Sequence, residues 1–154
     1  MRSGSASRVA VLVAGPEHVA ALLPLIKAHA LFERSAATCT EESLRSALAE
    51  PGAVLFAWLA LDESGRAIGY ATATRDFSTW SGKPFLHLDC LYLTETARGA
   101  GVGSLLLDTV KLFANRQGLD EVQWQTPDWN VAAERFYLKQ GACVTTKQRF
   151  RIAV

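Results

Sequence analysis

A glycine-rich segment at residues 98–104 is the strongest local signal of chemistry in the sequence. It reads Arg-Gly-Ala-Gly-Val-Gly-Ser and lies between an apolar extended stretch and an amphipathic stretch with helical spacing. Glycines let the backbone approach a ligand closely, and the free N–H groups and the dipole at a helix start attract an anion. The segment therefore predicts a pyrophosphate site, with Arg98 either contacting a phosphate or pinning the loop. A tight turn whose glycines serve only packing is the alternative.

Two common kinds of nucleotide site do not fit this segment. A P-loop needs a lysine followed by serine or threonine after its last glycine, whereas Gly103 is followed by Ser104 and Leu105. A dinucleotide fold needs a third glycine where Ser104 stands and an acid that closes the next strand, whereas Asp120 and Glu121 precede theirs. The sequence therefore disfavours both sites.

Two polar residues share one face of a helix predicted at residues 130–140. Asn130 and Tyr137 are seven positions apart, and seven steps of 100° return to within about 20° of the starting direction. This geometry would allow both side chains to contribute to one site. The alternatives are a packed aromatic ring for Tyr137 and a helix N-cap for Asn130, which is compatible with binding.

Apolar periodicity and turn residues predict the elements that must position these groups. The predicted strands cover residues 9–13, 54–61, 67–74, 85–93, 121–126 and 143–152. The predicted helices cover residues 16–30, about 40–50, about 102–117 and 130–140. Pro24 should kink the first helix, and Thr38 with Glu41 could cap the second. The order β-α-α-β-β-β-α-β-α-β predicts an α/β (α+β mixed) domain with a mixed, mostly antiparallel central sheet flanked by helices.

Length and composition predict one domain with its own core. The chain has 154 residues, of which 49% are hydrophobic, so we expect a single domain at residues 8–154 after a flexible tail at residues 1–7. The net charge is +1, which disfavours nucleic acid and anionic membrane as partners and favours a small molecule. No apolar window approaches the roughly 20 residues of a membrane span.

Cysteine and histidine spacing suggests neither a disulfide scaffold nor a metal site. The three cysteines form no CxxC pair and suit a reducing cytoplasm, so we expect a cytoplasmic protein. The histidines have no metal-ligand spacing, so no metal is expected. These residues are Cys39, Cys90, Cys143, His18, His29 and His87.

Arg98, Gly101 and Gly103 fit the Arg-x-x-Gly-x-Gly loop of GNAT-superfamily N-acetyltransferases, and the chain resembles that family from about residue 9 to 150. Further segments are similar to the diamine (spermidine/spermine-type) acetyltransferase branch. They are residues 25–27, 32–33, 77–84, 87–93, 128–130 and 136–142. The resemblance implies acetyl-CoA as cosubstrate, no metal and a homodimer.

The resemblance also assigns expected roles to individual residues. Tyr137 would be the acid that protonates the leaving thiolate, and the N–H near Leu91 would stabilise the oxyanion. The pantetheine arm of acetyl-CoA would be held by Leu91, Tyr92, Leu93 and Asn130. The pyrophosphate would be held by Arg98, Gly99, Ala100, Gly101, Val102, Gly103 and Ser104.

Glu33 and Asp89 match acidic positions that hold the substrate amine in the diamine branch. Asp89 is a charge within an apolar strand, so if buried it needs a partner or a ligand, and an internal ion pair is the alternative. Glu33 could instead be a solvated helix end, and Trp80 could either cover an amine by cation–π contact or simply pack. Cys90 replaces the branch's second acid, which makes a long polycation less well matched. His87 should face away from Cys90, which disfavours a nucleophile pair.

The resemblance therefore implies an N-acetyltransferase that transfers acetyl from acetyl-CoA to a primary amine by direct attack on the thioester. The expected acceptor is a diamine, a polyamine or an amino acid-like amine. The alternatives are an aminoglycoside or a protein lysine as acceptor, or a non-catalytic module that senses acyl-CoA.

Overall fold

The computed structural model describes residues 8–154, whose backbone forms one five-stranded sheet with helices on its two faces. The predicted tail at residues 1–7 lies outside the described residues. The strands are β1 (Ala10–Ala14), β2 (Phe56–Leu61), β3 (Ala67–Ser78), β4 (Lys83–Leu93) and β5 (Val122–Gln123). The helices are α1 (Val19–Phe32), α2 (Glu41–Leu48), α3 (Val102–Arg116) and α4 (Val131–Lys139).

The sheet has the order β1-β2-β3-β4-β5, in which β1 to β4 are antiparallel neighbours and β5 runs parallel to β4. The predicted mixed, mostly antiparallel sheet is therefore confirmed. The apolar alternation of β2 explains the two layers, because Trp58 and Ala60 pack under α3 while Ala57 and Leu59 pack under α1 and α2. None of the helices within residues 8–154 has the length and apolarity needed to cross a membrane.

A β-bulge interrupts β4 at Asp89. Thr72 of β3 pairs with Cys90 and the next residue, Ala73, pairs with Leu88, so Asp89 is the extra residue without a partner in β3. A bulge adds one position to one strand, which shifts the alternation of side chains beyond it. The faces of β4 therefore differ on the two sides of Asp89.

The packing of β4 shows this change of face directly. Before the bulge, the even-numbered residues Leu86 and Leu88 face the core under α3. Beyond the bulge, the odd-numbered Leu91 faces that core, and the even-numbered Cys90 packs on the α1 side. The expectation that His87 and Cys90 point to opposite faces is therefore wrong, because strict alternation does not hold across the bulge.

Two predicted helix starts need correction. The first helix, predicted at residues 16–30, begins at Val19 because a 3₁₀ turn occupies Pro16–His18; it contains Pro24 and ends at Phe32. The N-cap of α2 is Thr40 and not Thr38, because the Thr40 hydroxyl accepts from the Ser43 N–H at 3.1 Å.

The strand predicted at residues 143–152 is absent, and apolar side chains in this segment such as Phe150 and Ile152 are exposed. The physical reason lies in β5, which forms the adjacent sheet edge with only two residues and offers too short a ladder for another strand.

Candidate active site

The glycine loop before α3 has an open front surface. Gly99 and Gly101 have φ of 78° and 81°, in the left-handed region that favours glycine, and a Cβ on either would meet no atom within 4 Å. Gly103 differs, because its Cβ would lie 3.2 Å from Cζ of Phe136 in α4. Two glycines thus shape the turn, while the third lets α3 and α4 approach each other.

The first turn of α3 presents free backbone donors. Leu105 makes the first helical hydrogen bond, donating to the Gly101 carbonyl at 3.1 Å, so the N–H groups of Val102, Gly103 and Ser104 have no acceptor within the helix. The first turn also contains no acidic side chain. The Ser104 hydroxyl accepts from Nε2 of Gln140 at 2.9 Å, which ties this turn to the end of α4. This arrangement suits a bound anion.

Arg98 holds the loop against neighbouring elements. Its guanidinium lies 4.7 Å from the ring centre of Phe32 and 5.7 Å from that of Tyr92, and its Nε donates to the Leu93 carbonyl at 3.3 Å. Of the two roles considered for Arg98, this geometry corresponds to pinning the loop. The side chain is solvent-exposed, so it could also turn toward a phosphate.

The outer edge of β4 is free beyond its short contact with β5. The two strands pair only at Leu86 with Val122 and at His87 with Gln123. Just after β4, the Thr94 N–H donates to the carbonyl of Ile68 in β3. Because hydrogen-bonding direction alternates along an antiparallel strand, Leu91 and Leu93 direct their N–H and C=O groups to the free edge. A gap with backbone donors therefore opens between β4 and β5.

Tyr137 borders this gap from the α4 side. Its half-buried ring packs against Trp124 and Phe136, with ring centres 5.1 and 5.2 Å away. Burial, together with the nearby Glu33 and Cys90, raises the pKa of Tyr137 to about 12. The phenol therefore stays protonated and lies within electrostatic reach of groups on α1 and β4.

Asn130 caps α4, because its Oδ1 accepts from the Ala133 N–H at 3.2 Å. This contact is the capping role considered for it from the sequence. Asn130 precedes the first residue of α4 as its N-cap, and Tyr137 lies near the end of the helix.

Glu33 ends α1 in a cluster of polar side chains. Its Oε1 lies 3.2 Å from Nε2 of His29, whose Nδ1 lies 2.8 Å from the Tyr70 hydroxyl. Sequence analysis missed His29 and Tyr70. The signal for His29 was its position four residues before Glu33, one helical turn away on the same face.

Asp89 is exposed, so the expectation of a buried carboxylate in need of a partner is wrong. The bulge displaces it from the regular strand, and its Oδ2 accepts from the Cys90 thiol at 3.7 Å. Burial, together with the Asp89 charge, raises the pKa of Cys90 to about 11. The thiol is therefore protonated near neutral pH and unsuited to act as a nucleophile.

Trp80 lies far from the polar side chains around Glu33. Its side chain is 97% exposed at the turn between β3 and β4, where Lys147 approaches the ring centre to 5.9 Å. At about 3.3 Å per residue, the strand from Lys83 to Asp89 separates it from the gap by roughly 20 Å. Two surface depressions of about 200 and 310 Å³ also lie at this turn.

The described residues offer groups for an organic anion and an amine. Within residues 8–154, no three histidine, cysteine or acidic side chains lie close enough together to hold a metal ion. The start of α3 contacts α4 through Ser104 and Gly103, and Tyr137 of α4 lies within electrostatic reach of Glu33 and of Cys90 on β4.

Comparisons with known proteins give the family context of this site. The model of the Acetyltransferase (GNAT) family matches residues 24–142. The D-amino-acid N-acetyltransferase of Saccharomyces cerevisiae is 35% identical over 91 residues, which are 58% of this chain and 56% of that protein. The L-ornithine N5-acetyltransferase of Arabidopsis thaliana is 31% identical over 53% of this chain, and the match covers 36% of that protein.

A longer match joins the chain to the thialysine N-epsilon-acetyltransferase of Caenorhabditis elegans, at 27% identity over 82% of this chain and 78% of that protein. Among solved structures, an aminoglycoside acetyltransferase from an uncultured soil metagenomic sample superposes with a TM-score of 0.80. It is 19% identical, and the match covers 95% of this chain and 96% of that chain. This last likeness concerns the fold alone. The chain spans about half the length or less of the first two relatives.

Proposed function

Because this chain belongs to the GNAT acetyltransferase family, we propose that it transfers acetyl from acetyl-CoA to a primary amine of a small molecule. One observation carries the proposal: the protonated phenol of Tyr137 lies within electrostatic reach of the Glu33 carboxylate, beside the free edge of β4. In the proposed site, a proton donor, a group that attracts cations and backbone donors would act together. Acyl transfer to an amine needs all three.

Acetyl-CoA would supply the activated acetyl group as a thioester. Its pyrophosphate would lie on the free N–H groups at the start of α3 and near Arg98, in the space left open at Gly99 and Gly101. The pantetheine arm would follow the outer edge of β4 at Leu91 to Leu93, with Asn130 opposite.

In the proposed reaction the amine nitrogen attacks the thioester carbonyl. The Leu91 N–H would stabilise the oxyanion, and Tyr137 would give its proton to the departing thiolate as the carbon–sulfur bond breaks. A phenol with a raised pKa is protonated at all working pH values, which keeps this donor available.

The amine must lose its proton before it attacks, which costs about 4–5 kcal/mol at neutral pH for a group with a lysine-like pKa. Glu33 and Asp89 would attract the cationic form to the gap and receive its proton directly or through water. Glu33 follows the C-terminal turn of α1, whose carbonyl groups also favour a cation.

We propose a short, amino acid-like amine or diamine as acceptor. The named relatives act on D-amino acids, ornithine and thialysine. Cys90 is protonated and carries no charge where the diamine branch has a second acid, so a long polycation finds fewer partners here. The family resemblance supports a homodimer, which light scattering would test, and the cysteine pattern supports a cytoplasmic location, which cell fractionation would test.

The test is release of free thiol from acetyl-CoA in the presence of a panel of amines. The panel contains D- and L-amino acids, ornithine, thialysine, putrescine, spermidine, an aminoglycoside and a lysine-containing peptide. Turnover with small amino acid-like amines or diamines at the highest kcat/KM supports the proposal. Acetyl-CoA binding without turnover on any amine would instead favour a sensor, and preference for the peptide or aminoglycoside would change the substrate class.

A further inference from the structure

We propose that His29 is a positioning residue that holds the Glu33 carboxylate in place to receive the amine, and that Tyr70 holds His29 in the tautomer this requires. The inference rests on the proposed function, in which Glu33 attracts the substrate cation. Its starting point is two contacts of one imidazole: Nε2 lies 3.2 Å from Oε1 of Glu33, and Nδ1 lies 2.8 Å from the Tyr70 hydroxyl.

The chemistry of the partners assigns the protons. An ionised carboxylate only accepts hydrogen bonds, so Nε2 of His29 must carry the hydrogen that it donates to Glu33. In the neutral ring Nδ1 is then an acceptor, and the Tyr70 hydroxyl donates to it. Burial raises the pKa of Tyr70 far above its ordinary value, so this donor remains protonated. The hydrogen bonds therefore run in one direction, from Tyr70 through His29 to Glu33.

The imidazole is held by packing as well as by hydrogen bonds. Its ring stacks on Tyr92 at 5.1 Å between ring centres with planes 20° apart, and it meets Tyr70 edge-on at 5.8 Å. Tyr70 is 1% exposed, so its ring is fixed by the packing of the core. A ring fixed in this way can fix the carboxylate that it contacts.

Exposure separates the role of His29 from that of Glu33. The side chain of His29 is 13% exposed, whereas that of Glu33 is 35% exposed and can be reached from solvent. A ligand would therefore meet Glu33 first, and His29 would act through it. Of the neighbouring groups, Asp89 is a carboxylate and the Cys90 thiol is protonated, so neither offers Glu33 a compensating positive charge.

A positioning role can be separated from simple packing by a kinetic cycle. His29→Leu keeps an apolar side chain of similar bulk but removes both hydrogen bonds, while His29→Gln retains a donor near the Nε2 position. Each is made in the natural chain and in Glu33→Gln, and the KM values for the best amine and for acetyl-CoA are measured.

We expect His29→Leu to raise the KM for the amine about tenfold and to leave that for acetyl-CoA unchanged, with His29→Gln recovering most of the loss. In the Glu33→Gln background, His29→Leu should add little, because the group it acts through is already altered. Equal effects of His29→Leu in both backgrounds, or equal changes in both KM values, would overturn the inference.

A second measurement needs no turnover. The ¹⁵N shifts of the His29 imidazole should show hydrogen on Nε2 in the natural chain, and Tyr70→Phe should weaken this preference. Hydrogen on Nδ1 instead would also overturn the inference, even if His29→Leu failed to fold. Absence of thiol release by the natural chain with every amine would be the distinct failure of the proposed function.

Discussion

The two sides of the gap are built in different ways. The proposed anion side consists of consecutive backbone groups, those of the glycine loop and of the first turn of α3. The proposed amine side consists of side chains from separate elements, with Glu33 after α1, Tyr70 on β3 and Asp89 at the bulge of β4. The anion side depends on local dihedral angles, whereas the amine side depends on how distant elements pack. Substitutions on the two sides should therefore change different kinetic constants.

The largest loss of activity is expected from a substitution at Tyr137, which lies between the two sides. Tyr137→Phe removes the proposed proton donor and keeps the ring that packs on Trp124 and Phe136. We expect kcat to fall about 100-fold or more, with acetyl-CoA affinity unchanged, as measured by thiol release and by calorimetric titration. A fall of less than threefold in kcat would show that another group protonates the thiolate.

A substitution confined to the anion side is Gly101→Ala. Its φ of 81° is matched by the 80° of Gly65 in the β2–β3 turn, and neither position has an atom within 4 Å of a new Cβ. Each variant should lose about 1–2 kcal/mol of unfolding free energy through backbone strain. Only Gly101→Ala should also raise the KM for acetyl-CoA, by about tenfold, because its methyl group enters the anion site. Equal KM values for acetyl-CoA in the two variants would show that the glycine loop does not bind acetyl-CoA.

The complementary substitution on the amine side is Glu33→Gln. It should raise the KM for the amine about tenfold without changing that for acetyl-CoA, because in the proposed site the amine binds this charge and acetyl-CoA does not. Glu41→Gln is the matched control, since Glu41 is exposed and contacts only a surface arginine, Arg45, at 3.3 Å. Initial rates with each substrate varied in turn would test this. An acetyl-CoA KM that rises with Glu33→Gln would mean that the two sides are not independent.

The smallest effect concerns stability at high pH. The folded-state pKa of Tyr137 is raised from 10 to about 12. The phenol therefore contributes fully to the free energy of unfolding below pH 10, and this contribution is lost as the pH rises through 12. The unfolding free energies of the natural chain and of Tyr137→Phe would be measured by urea titration at pH 8 and at pH 11. From pH 8 to pH 11, the unfolding free energy of the natural chain should fall by about 1 kcal/mol more than that of Tyr137→Phe. Parallel curves would indicate that the phenol is better hydrated than its packing implies.

The order of the elements could be predicted because each carries its own apolar periodicity. β2 alternates between two buried faces and α3 carries an apolar stripe, so both are recognisable within about ten residues. The segment at residues 143–152 has similar apolar residues but forms no strand. Its neighbour β5 is too short to pair with it, and a single segment does not reveal the length of its partner.

By itself, the sequence determined the glycine turn and the start of α3, because the glycines at 99 and 101 and the helix that follows act through neighbouring backbone groups. It also indicated Asn130 as the N-cap of α4, because an asparagine side chain can accept from the first turn of the helix that follows. Only the tertiary structure decided the amine side. The bulge at Asp89 changed which face Cys90 occupies, and the packing of α1 on β3 brought His29 to Tyr70 across 41 positions of chain. Such contacts depend on strand register and helix docking, which are properties of the whole fold.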